Sequence, residues 1–481
     1  PRACSSAAAA ASTEYYTMVR VPVIQRGARP YINDDSDEQS GDLSYVGGKL
    51  VPFETEDICV AFSVPTGVEP AEGWPVLLYG HGTGGNHRPY GILAEELGRA
   101  GNGNEFKDRF IVMAWDQPMH HLRRFPKDAV VDLNADLYQL NDNNLGEDGI
   151  NYVVEYAKEP GPLFYNFQNP RAARANYLQA VSDTFSLVRL LEEWAFNLPD
   201  LDGGQCLVDG GTRECGPLKI DENRLAYHGH SQGGGNGPMV APFESGLGLM
   251  VLSGTGGSTV DGILGKTMPY DSSIGCRIML QEIDVTRTHP GMHILQHYFD
   301  SIDPGIYGPL LDDPPATKTH PDGAPQMNFM QVVGVADSFT PPVSMAAYSG
   351  STNSDLLIPL NGVLPAWADD MTDDLVNYTR AEESQCSDAV VMAYVAMGLP
   401  APKCVGPNRP ANNPTHTRVS IQHPPCDLDS DCPGALPNTT SFDGHFVVYK
   451  NEDALAEIMS FVYSWARTGT AQVLPAGSNT L

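Results

Sequence analysis

A serine flanked by glycines carries the clearest chemical signal in this sequence. Ser231 stands in Gly229-His230-Ser231-Gln232-Gly233, a G-x-S-x-G pattern. The apolar residues 225–228 before it predict a strand, and a helix is expected after it. Glycines suit both sides because a side chain would clash in the tight strand-to-helix turn that exposes the hydroxyl. In this context the pattern predicts that Ser231 is a nucleophile.

A base and an orienting carboxylate are expected downstream of such a serine. His445, in Asp443-Gly444-His445-Phe446 just before the last predicted helix, is the expected base. Asp337 is the expected acid because it follows the apolar run 330–335. The competing candidates are His416 and His423 in a Pro/Asn-rich loop, and Asp284, Asp303 and Asp443, none of which closes a comparable strand.

A glycine-rich loop lies far upstream of the serine. Gly80-His81-Gly82-Thr83-Gly84-Gly85 follows the continuous apolar run 74–79. Such a run is typical of a strand buried on both faces of a parallel sheet. The glycines alone would suit any tight turn, but their place after a buried strand favours a functional loop.

Strands and helices alternate along the chain that must position these residues. The predicted strands are residues 58–62, 74–79, 110–115, 225–228, 247–252 and 330–335. The predicted helices are residues 90–100, about 172–196 and about 453–467. This alternation predicts an α/β fold with a doubly wound, mostly parallel sheet and right-handed crossovers.

The helix expected after Ser231 has an unusual composition. It would begin with Gly233-Gly234-Gly235-Asn236-Gly237-Pro238. Glycine costs roughly 1 kcal/mol per helical position, and an interior proline about 3 kcal/mol. We therefore expect an irregular start or a kink near Pro238, with close backbone packing beneath the nucleophile as its gain.

The two glycine-containing loops resemble those of the α/β-hydrolase superfamily. Residues 229–233 are similar to its nucleophile elbow, and Gly80-His81-Gly82-Thr83 is similar to its His-Gly oxyanion loop. The order of serine, aspartate and histidine along the chain also matches this fold, over about 58–468. Within the superfamily, the sequence looks closest to bacterial extracellular lipases and esterases.

The resemblance implies roles for the residues of both loops. The backbone N–H groups of Thr83 and Gln232 would bind the oxyanion. The residues implied to support the two motifs are His81, Gly82, Gly229, His230 and Gly233.

One α/β-hydrolase domain is expected over residues 51–470, between an N-terminal linker and extension at 1–50 and a C-terminal tail at 471–481. Two segments rich in Pro, Gly and Asp, about 258–325 and 350–442, interrupt the alternation. Such insertions lie above the carboxyl ends of the strands, where ligands bind. They are candidates for a lid, with surface elaboration as the alternative.

The composition and net charge limit the classes of molecule that this chain is expected to bind. The hydrophobic fraction of 41% is typical of a globular protein, and no apolar run approaches the roughly 20 residues that a membrane-spanning helix needs. The formal net charge of −30 would repel nucleic-acid phosphates. We expect no nucleic acid, no integral membrane segment, no cofactor, and a small-molecule or lipid-like ester as substrate. The sequence does not indicate an oligomeric state.

The nine cysteines lie largely in polar loops, a pattern typical of local disulfides formed in an oxidising compartment. The suggested pairs are Cys206 with Cys215, Cys386 with Cys404, and Cys426 with Cys432. A secreted or extracytoplasmic location is therefore expected, with a lipid anchor on Cys4 as one possibility.

Metal binding is not expected. No C-x-x-C pair favours zinc. His120-His121 after Asp116 could suggest a metal site, but a loop near the pocket is the favoured interpretation. Asp427, Asp429 and Asp431 could bind calcium, or they form a solvated acidic loop.

The favoured function is hydrolysis of a carboxylic ester through an acyl-enzyme. The same three residues would support an amidase or peptidase, and nothing in the sequence separates the two. A non-catalytic surface-binding protein on a hydrolase fold is the alternative from another class. Loss of one of the three residues would be its signature, and all three are present.

Overall fold

The computed structural model describes residues 12–31, 40–65, 68–88, 93–94, 97, 109–124, 130–132, 137–139, 160–193, 196–197, 205–208, 211–214, 217–316, 327–352, 354–356, 416–423, 441–469, 471 and 473. Within these residues nine strands form one sheet. They are β1 (Ser12–Val23), β2 (Glu54–Pro65), β3 (Trp74–Gly80), β4 (Ile111–Trp115), β5 (Ile220–His230), β6 (Leu247–Ser253), β7 (Asn328–Gly334), β8 (Asp355–Leu356) and β9 (Arg418–His423).

The order of strands across the sheet is β1-β2-β4-β3-β5-β6-β7-β9-β8. Strand β2 is antiparallel to both of its neighbours, and the strands from β4 to β8 run parallel. The chain leaves β3 for β4 on one side and later places β5 on the other side. This confirms the predicted doubly wound, mostly parallel sheet, and the strand order is that of the α/β-hydrolase fold.

The central strands are apolar because both faces of the sheet are covered. Every residue of β3, β4 and β7 is buried. Side chains alternate between the two faces of a strand. In β3, Leu77 and Tyr79 belong to one apolar cluster, whereas Val76 and Leu78 belong to the other. The sheet therefore carries a separate core on each face.

Helices connect and cover the strands. The described helices are α1 (Pro160–Tyr165), α2 (Pro170–Glu192), α3 (Gln232–Val240), α4 (Thr259–Gly265), α5 (Ser273–Leu280), α6 (Pro290–Phe299), α7 (Pro304–Tyr307), α8 (Pro342–Ser351), α9 (Val447–Lys450) and α10 (Glu452–Thr468). Short 3-10 helices occupy His121–Arg124, Asp300–Ile302, Gly308–Leu311 and Gly444–Phe446. Two-stranded ribbons pair Tyr45–Val46 with Lys49–Leu50, Val130–Asp132 with Leu137–Gln139, Gln205–Val208 with Gly211–Glu214, and Phe196–Asn197 with Pro217–Leu218.

Local capping explains where the two longest described helices begin. The side chain of Asn169 accepts a hydrogen bond from the N–H of Ala172 at the start of α2, and Pro170 occupies its first turn. The side chain of Asn451 caps α10 in the same way, and Gly469 ends that helix with a φ of 77°. Both helices were predicted, and α2 ends at Glu192, four residues earlier than expected.

Three strands lie in segments that the sequence did not predict to be part of the sheet. Strand β1 falls within the N-terminal extension assigned to 1–50, and it pairs with β2 along its whole length. Strands β8 and β9 fall within the insertion assigned to 350–442. These strands lack the continuous apolar runs of the centre, because β1 is an edge strand and β9 alternates polar and apolar residues. The other insertion, 258–325, contains the helices α4 to α7.

Several predictions concern residues outside the described part of the chain. These residues are Cys4, Cys215, Cys386, Cys404, Cys426, Asp427, Asp429, Asp431 and Cys432. The disulfide pairs, the calcium alternative and the lipid anchor therefore stay predictions. Cys276, on α5, is a buried free thiol. In the described part of the chain, no helix has the length and apolar composition to cross a membrane.

Candidate active site

The predicted nucleophile lies in a sharp turn between β5 and α3. Ser231 has φ 55° and ψ −117°, a conformation that a residue with a side chain adopts only under strain. Its N–H donates to the carbonyl of Ser253 over 2.8 Å, and its own carbonyl accepts from the N–H of Gly235 over 2.9 Å. A Cβ on Gly233 would collide with the carbonyl of Gly80, and one on Gly229 would collide with that of Gly233.

Helix α3 runs without interruption from Gln232 to Val240, although it includes Pro238. The expected irregular start is therefore wrong, and the alternative, a kink near Pro238, stays a prediction. The glycines permit close packing, since a Cβ on Gly234 would meet Thr255 and one on Gly237 would lie 2.6 Å from Leu252 Cδ2. This packing fixes the helix beneath the nucleophile.

His445 and Asp337 form a buried hydrogen-bonded pair. The Nδ1 atom of His445 lies 2.8 Å from Asp337 Oδ2. The other carboxylate oxygen accepts from the N–H groups of Phe339 and Thr340 over 2.8 and 2.7 Å. Only 3% of Asp337 and 4% of His445 is exposed, so water does not compete for this contact.

The turn that carries His445 is held against the end of β7. A Cβ on Gly334 would collide with the carbonyl of Gly444, so the two backbones approach closely. Asp443 accepts a hydrogen bond from the N–H of His445 over 2.8 Å and from the Ser338 hydroxyl over 2.6 Å. Asp443 therefore joins the histidine turn to the loop after Asp337.

Gly254 shows how close the histidine is to the serine. A Cβ at this glycine would lie 2.8 Å from His445 Cε1 and 3.6 Å from Ser231 Cα. Ser231 and His445 also line the same cavity, of about 750 Å³. The structure thus brings together the serine, histidine and aspartate that the sequence singled out.

Of the competing candidates, Asp443 lies in the site, where it holds the turn of His445, and the others lie away from the serine. His423, at the end of β9, has its Nε2 atom 3.0 Å from Glu457. The Asp303 carboxylate accepts from Thr259, Gln296 and Gly305. The described residues that line the cavities at Ser231 do not include His423, Asp303, His416 or Asp284.

The glycine-rich loop packs directly on the nucleophile. A Cβ on Gly82 would lie 3.1 Å from both Ser231 Cβ and the ring of His230. The Thr83 hydroxyl donates to Gln232 Oε1 over 3.2 Å, and it lies 3.1 Å from the Tyr165 hydroxyl. Within the described residues, the backbone N–H groups of Thr83 and Gln232 have no acceptor. Both are therefore available to a ligand oxygen.

Buried histidines support the two loops. His81 donates from Nδ1 to the carbonyl of Gly82 over 2.8 Å, and burial lowers its pKa to about 4. His230 lies with Nδ1 2.9 Å from the Ser253 hydroxyl, and its ring centroid is 4.7 Å from that of His445. Burial holds the pKa of His230 well below its ordinary value, so this imidazole stays neutral beside His445.

Gln117 is a supporting residue that the sequence did not reveal. Its backbone N–H donates to His81 Nε2 over 3.2 Å, and its side-chain amide donates to the carbonyl of His81. Its Oε1 atom accepts from Asn236 on α3 over 2.6 Å. Gln117 thereby ties the glycine-rich loop to the helix after Ser231. Its position after the apolar strand β4 was the available sequence signal.

A second cluster of histidines lies behind this loop. His87 and His121 donate from Nδ1 to separate oxygens of Asp116, each over 2.9 Å. Atoms of Cys59, His87 and Asp116 lie within 4.8 Å of one another, but the sulfur of Cys59 is disulfide-bonded and is not a free thiolate ligand. Both oxygens of Asp116 already accept hydrogen bonds, so we interpret the cluster as a structural network. His120 and His121 are not among the described residues that line the cavities at Ser231.

Two cavities meet at Ser231. The larger one, of about 750 Å³, is bounded by the glycine-rich loop, α1 and His445. The smaller one, of about 200 Å³, is bounded by α2, α3, α4 and α8 and includes Gln232. The residues that line both are Tyr165, Ser231, Lys266, Tyr270 and Phe339. The insertion at 258–325 therefore forms part of the wall on both sides of the serine.

Comparisons with known proteins add little to this geometry. No protein-family model and no curated protein sequence matches the chain. The solved structure of acetyl xylan esterase 1 from Thermoanaerobacterium sp. is similar, with a TM-score of 0.32 and 15% identity over 62% of this chain and 69% of that one. The acetyl xylan esterase from Paenibacillus sp. R4 has a TM-score of 0.33 and 14% identity over 71% and 79% of the two chains.

The acylaminoacyl peptidase from Pyrococcus horikoshii has a TM-score of 0.41 and 6% identity, and the match covers 97% of this chain and 43% of that one. Similarities at this level carry no argument about activity. The fold follows from the strand order of the sheet itself.

Proposed function

We propose that this chain is a serine hydrolase that cleaves carboxylic esters through an acyl-enzyme on Ser231. The observation that carries the proposal is the buried contact of 2.8 Å between His445 Nδ1 and Asp337. The turn that carries His445 adjoins Ser231 at Gly254. Nδ1–H donates to the carboxylate, so Nε2 of the neutral ring is the acceptor that takes the serine proton. Asp337 orients the ring and stabilises the imidazolium that forms.

The oxyanion would be bound by backbone N–H groups. Those of Thr83 and Gln232 have no acceptor within the described residues, and the two residues line the two cavities that share Ser231. Donors already in place as charge develops on the carbonyl oxygen lower the barrier to attack. Gly82 lets this loop approach Ser231, and His81 and Gln117 hold it there.

The two cavities suggest where each half of the substrate would bind. His445 must give its proton to the leaving alcohol, and it lines only the larger cavity. Gln232 lines only the smaller cavity. We therefore place the alcohol portion in the larger cavity and the acyl portion in the smaller one. Water then attacks the acyl-enzyme, with His445 acting again as base.

A fluorophosphonate probe tests the nucleophile. The wild type should be labelled at Ser231, and Ser231→Ala should not. Ser253→Ala is the matched control, because it removes a nearby hydroxyl that is bonded to His230. Equal labelling of the wild type and Ser231→Ala would overturn the proposal.

Rates on 4-nitrophenyl esters of rising acyl length, beside a set of peptide amides, test the ester assignment. Faster turnover of the amides at matched concentration would make the chain an amidase or peptidase. Labelling without turnover of either set would contradict both enzyme assignments. An extracytoplasmic location is part of the proposal, and the cysteine-rich loops of the sequence support it.

A further inference from the structure

Lys266 is a cation placed at the junction of the two cavities. It directly follows α4, and its N–H donates to the carbonyl of Gly262 over 3.1 Å. The next two N–H groups, those of Thr267 and Met268, both donate to the carbonyl of Ser338 over 2.9 and 3.0 Å. These bonds fasten the backbone beside Lys266 to the loop that carries the candidate acid, so the side chain starts from a fixed position.

The ammonium group of Lys266 has spare donor capacity. Nζ donates to the carbonyl of Phe339 over 3.0 Å and lies 5.3 Å from the centroid of the Phe339 ring. Within the described residues, no carboxylate lies at ion-pair distance from it. An ammonium carries three N–H donors. At least one donor is therefore left for a ligand in the cavity.

The charge around both cavities contrasts with the charge of the chain. The sequence has 59 acidic residues against 29 lysines and arginines. Nevertheless, no Asp or Glu is among the described residues that line either cavity. The other lysine or arginine among them is Arg88, which is exposed and lines only the larger cavity. Among the described residues, no carboxylate lines the cavities beside Lys266 or pairs with it, and the acidic group whose charge reaches it is Asp337.

Burial makes the charge of Lys266 costly. Desolvation lowers the pKa of this lysine, and the nearby charge of Asp337 opposes that shift. An anion bound within hydrogen-bond distance would offset the desolvation of the ammonium. A partly buried, fixed cation that shares two cavities with a nucleophile is suited to recognise substrate charge.

We propose that Lys266 binds a carboxylate of the substrate, so that the esters cleaved at Ser231 are anionic. The inference rests on the proposed ester hydrolysis and names its substrate class. The carboxylate is carried either by the acyl chain or by the alcohol, because Lys266 lines the cavities for both. The contact is a charge-assisted hydrogen bond at the junction of the two cavities, where no described Asp or Glu lines the wall.

Two matched ester pairs test the proposal. In the acyl pair, mono-4-nitrophenyl glutarate is compared with its methyl-capped diester. In the alcohol pair, 4-acetoxybenzoate is compared with its methyl ester. The measured quantity is the ratio of kcat/KM for the anionic member to that for the neutral member. The wild type should prefer the anionic member of at least one pair, and that pair identifies which half of the substrate carries the charge.

Replacement of the lysine should remove this preference. In Lys266→Met the ratio should fall about 10- to 100-fold for that pair, the range expected for a lost hydrogen bond between charged groups. Lys266→Arg keeps a cation and should retain most of the ratio. If Lys266→Met does not fold, Lys266→Gln takes its place in this measurement, because it removes the charge and keeps a hydrogen-bond donor. Lys49→Met is the control and should keep the wild-type ratio, because Lys49 lies on an exposed ribbon and lines neither cavity.

Each outcome is informative. A wild type that is labelled at Ser231 and cleaves neutral esters without an anionic preference overturns this inference and leaves the proposed hydrolase intact. If kcat/KM of Lys266→Met falls equally for both members of a pair, the lysine positions Asp337 and does not bind substrate. Absence of probe labelling in the wild type would overturn the proposed function itself.

Discussion

Acid should destabilise this protein through its buried neutral histidines, and His228 gives the sharpest test. His228 lies in β5 just before the elbow and is 1% exposed. Neither ring nitrogen has a hydrogen-bond partner within the described residues. Burial lowers its pKa from the ordinary value of 6.5 to about 3. The folded protein therefore keeps this ring neutral at a pH where the unfolded chain protonates it.

The direction in which pH changes the free energy of unfolding follows from proton linkage. Between pH 6.5 and 3 the unfolded state binds one more proton at this site, so the free energy of unfolding falls as the pH falls. Above pH 6.5 both states are neutral and the site adds no pH dependence. Each pH unit within the window costs about 1.4 kcal/mol, so a drop to pH 5 removes about 2 kcal/mol through His228 alone. His81, with a pKa of about 4, adds a similar loss.

Urea unfolding followed by tryptophan fluorescence at pH 7.5 and 5.0 measures this loss. In His228→Leu the loss between the two pH values should be smaller than in the wild type by about 2 kcal/mol. His297→Gln is the control, because the His297 side chain is 91% exposed and should leave the loss unchanged. An equal loss in the wild type and His228→Leu would refute the reasoning, whatever the absolute stability of the variant at pH 7.5.

Two further predictions concern the elbow and the candidate acid. Asp337→Asn should lower kcat on esters by about 10⁴-fold, because the amide no longer holds the imidazole in the required tautomer. Asp443→Asn, which keeps one acceptor for the same turn, should cost about 10-fold or less, and similar losses in the two variants would contradict the assignment of the acid. Gly233→Ala should reduce the free energy of unfolding by about 3 kcal/mol or more, because its Cβ would collide with the carbonyl of Gly80. Gly275→Ala, on α5 with open space around the site, should be neutral or stabilising, and urea unfolding of both variants checks the contrast.

The centre of the sheet was predictable because its signal is local. Strands β3 and β4 are continuous apolar runs, and β5, β6 and β7 each contain a mostly apolar stretch, since both faces of the central sheet are covered. The turn at Ser231 was equally predictable, because the serine and its two glycines are required by one tight turn, and the role of Ser231 as nucleophile stays a prediction. Asp337 and His445 are far apart in sequence, yet each follows an element whose type is clear. Their approach was predicted from their order along the chain.

The edges of the sheet were not predictable for the same physical reason. Strand β1 depends on pairing with β2, and β9 depends on pairing with β7, more than 80 residues earlier in the chain. Polar positions within these strands are satisfied by distant partners. The hydrogen bond between the hydroxyls of Ser349 and of Ser420 in β9, over 2.9 Å, is an example. No window of neighbouring residues contains such information.

The supporting residues of the site were missed because their roles exist only in three dimensions. Gln117 looks like an ordinary residue after a strand, yet it connects His81 with Asn236. Lys266 lies in an insertion without a recognisable motif, yet hydrogen bonds to Ser338 from the residues after it bring it to the serine. A motif specifies what must touch the reacting atoms, and the rest of the chain is free to vary in how it supports them.

Under the proposed function, this division separates the residues for catalysis from the residue for specificity. The proposed nucleophile, base and acid all lie at the carboxyl ends of β5 and β7 or in the turn packed on β7, so the sheet fixes them whatever the insertion does. Lys266 belongs to the insertion and reaches the same cavities from outside the sheet. Loss of Asp337 should therefore slow every substrate, whereas loss of Lys266 should change which substrate is preferred. The net charge of −30 repels anionic substrates from the surface of the chain. The proposed contact with Lys266 would supply the local attraction that holds such a substrate at the serine.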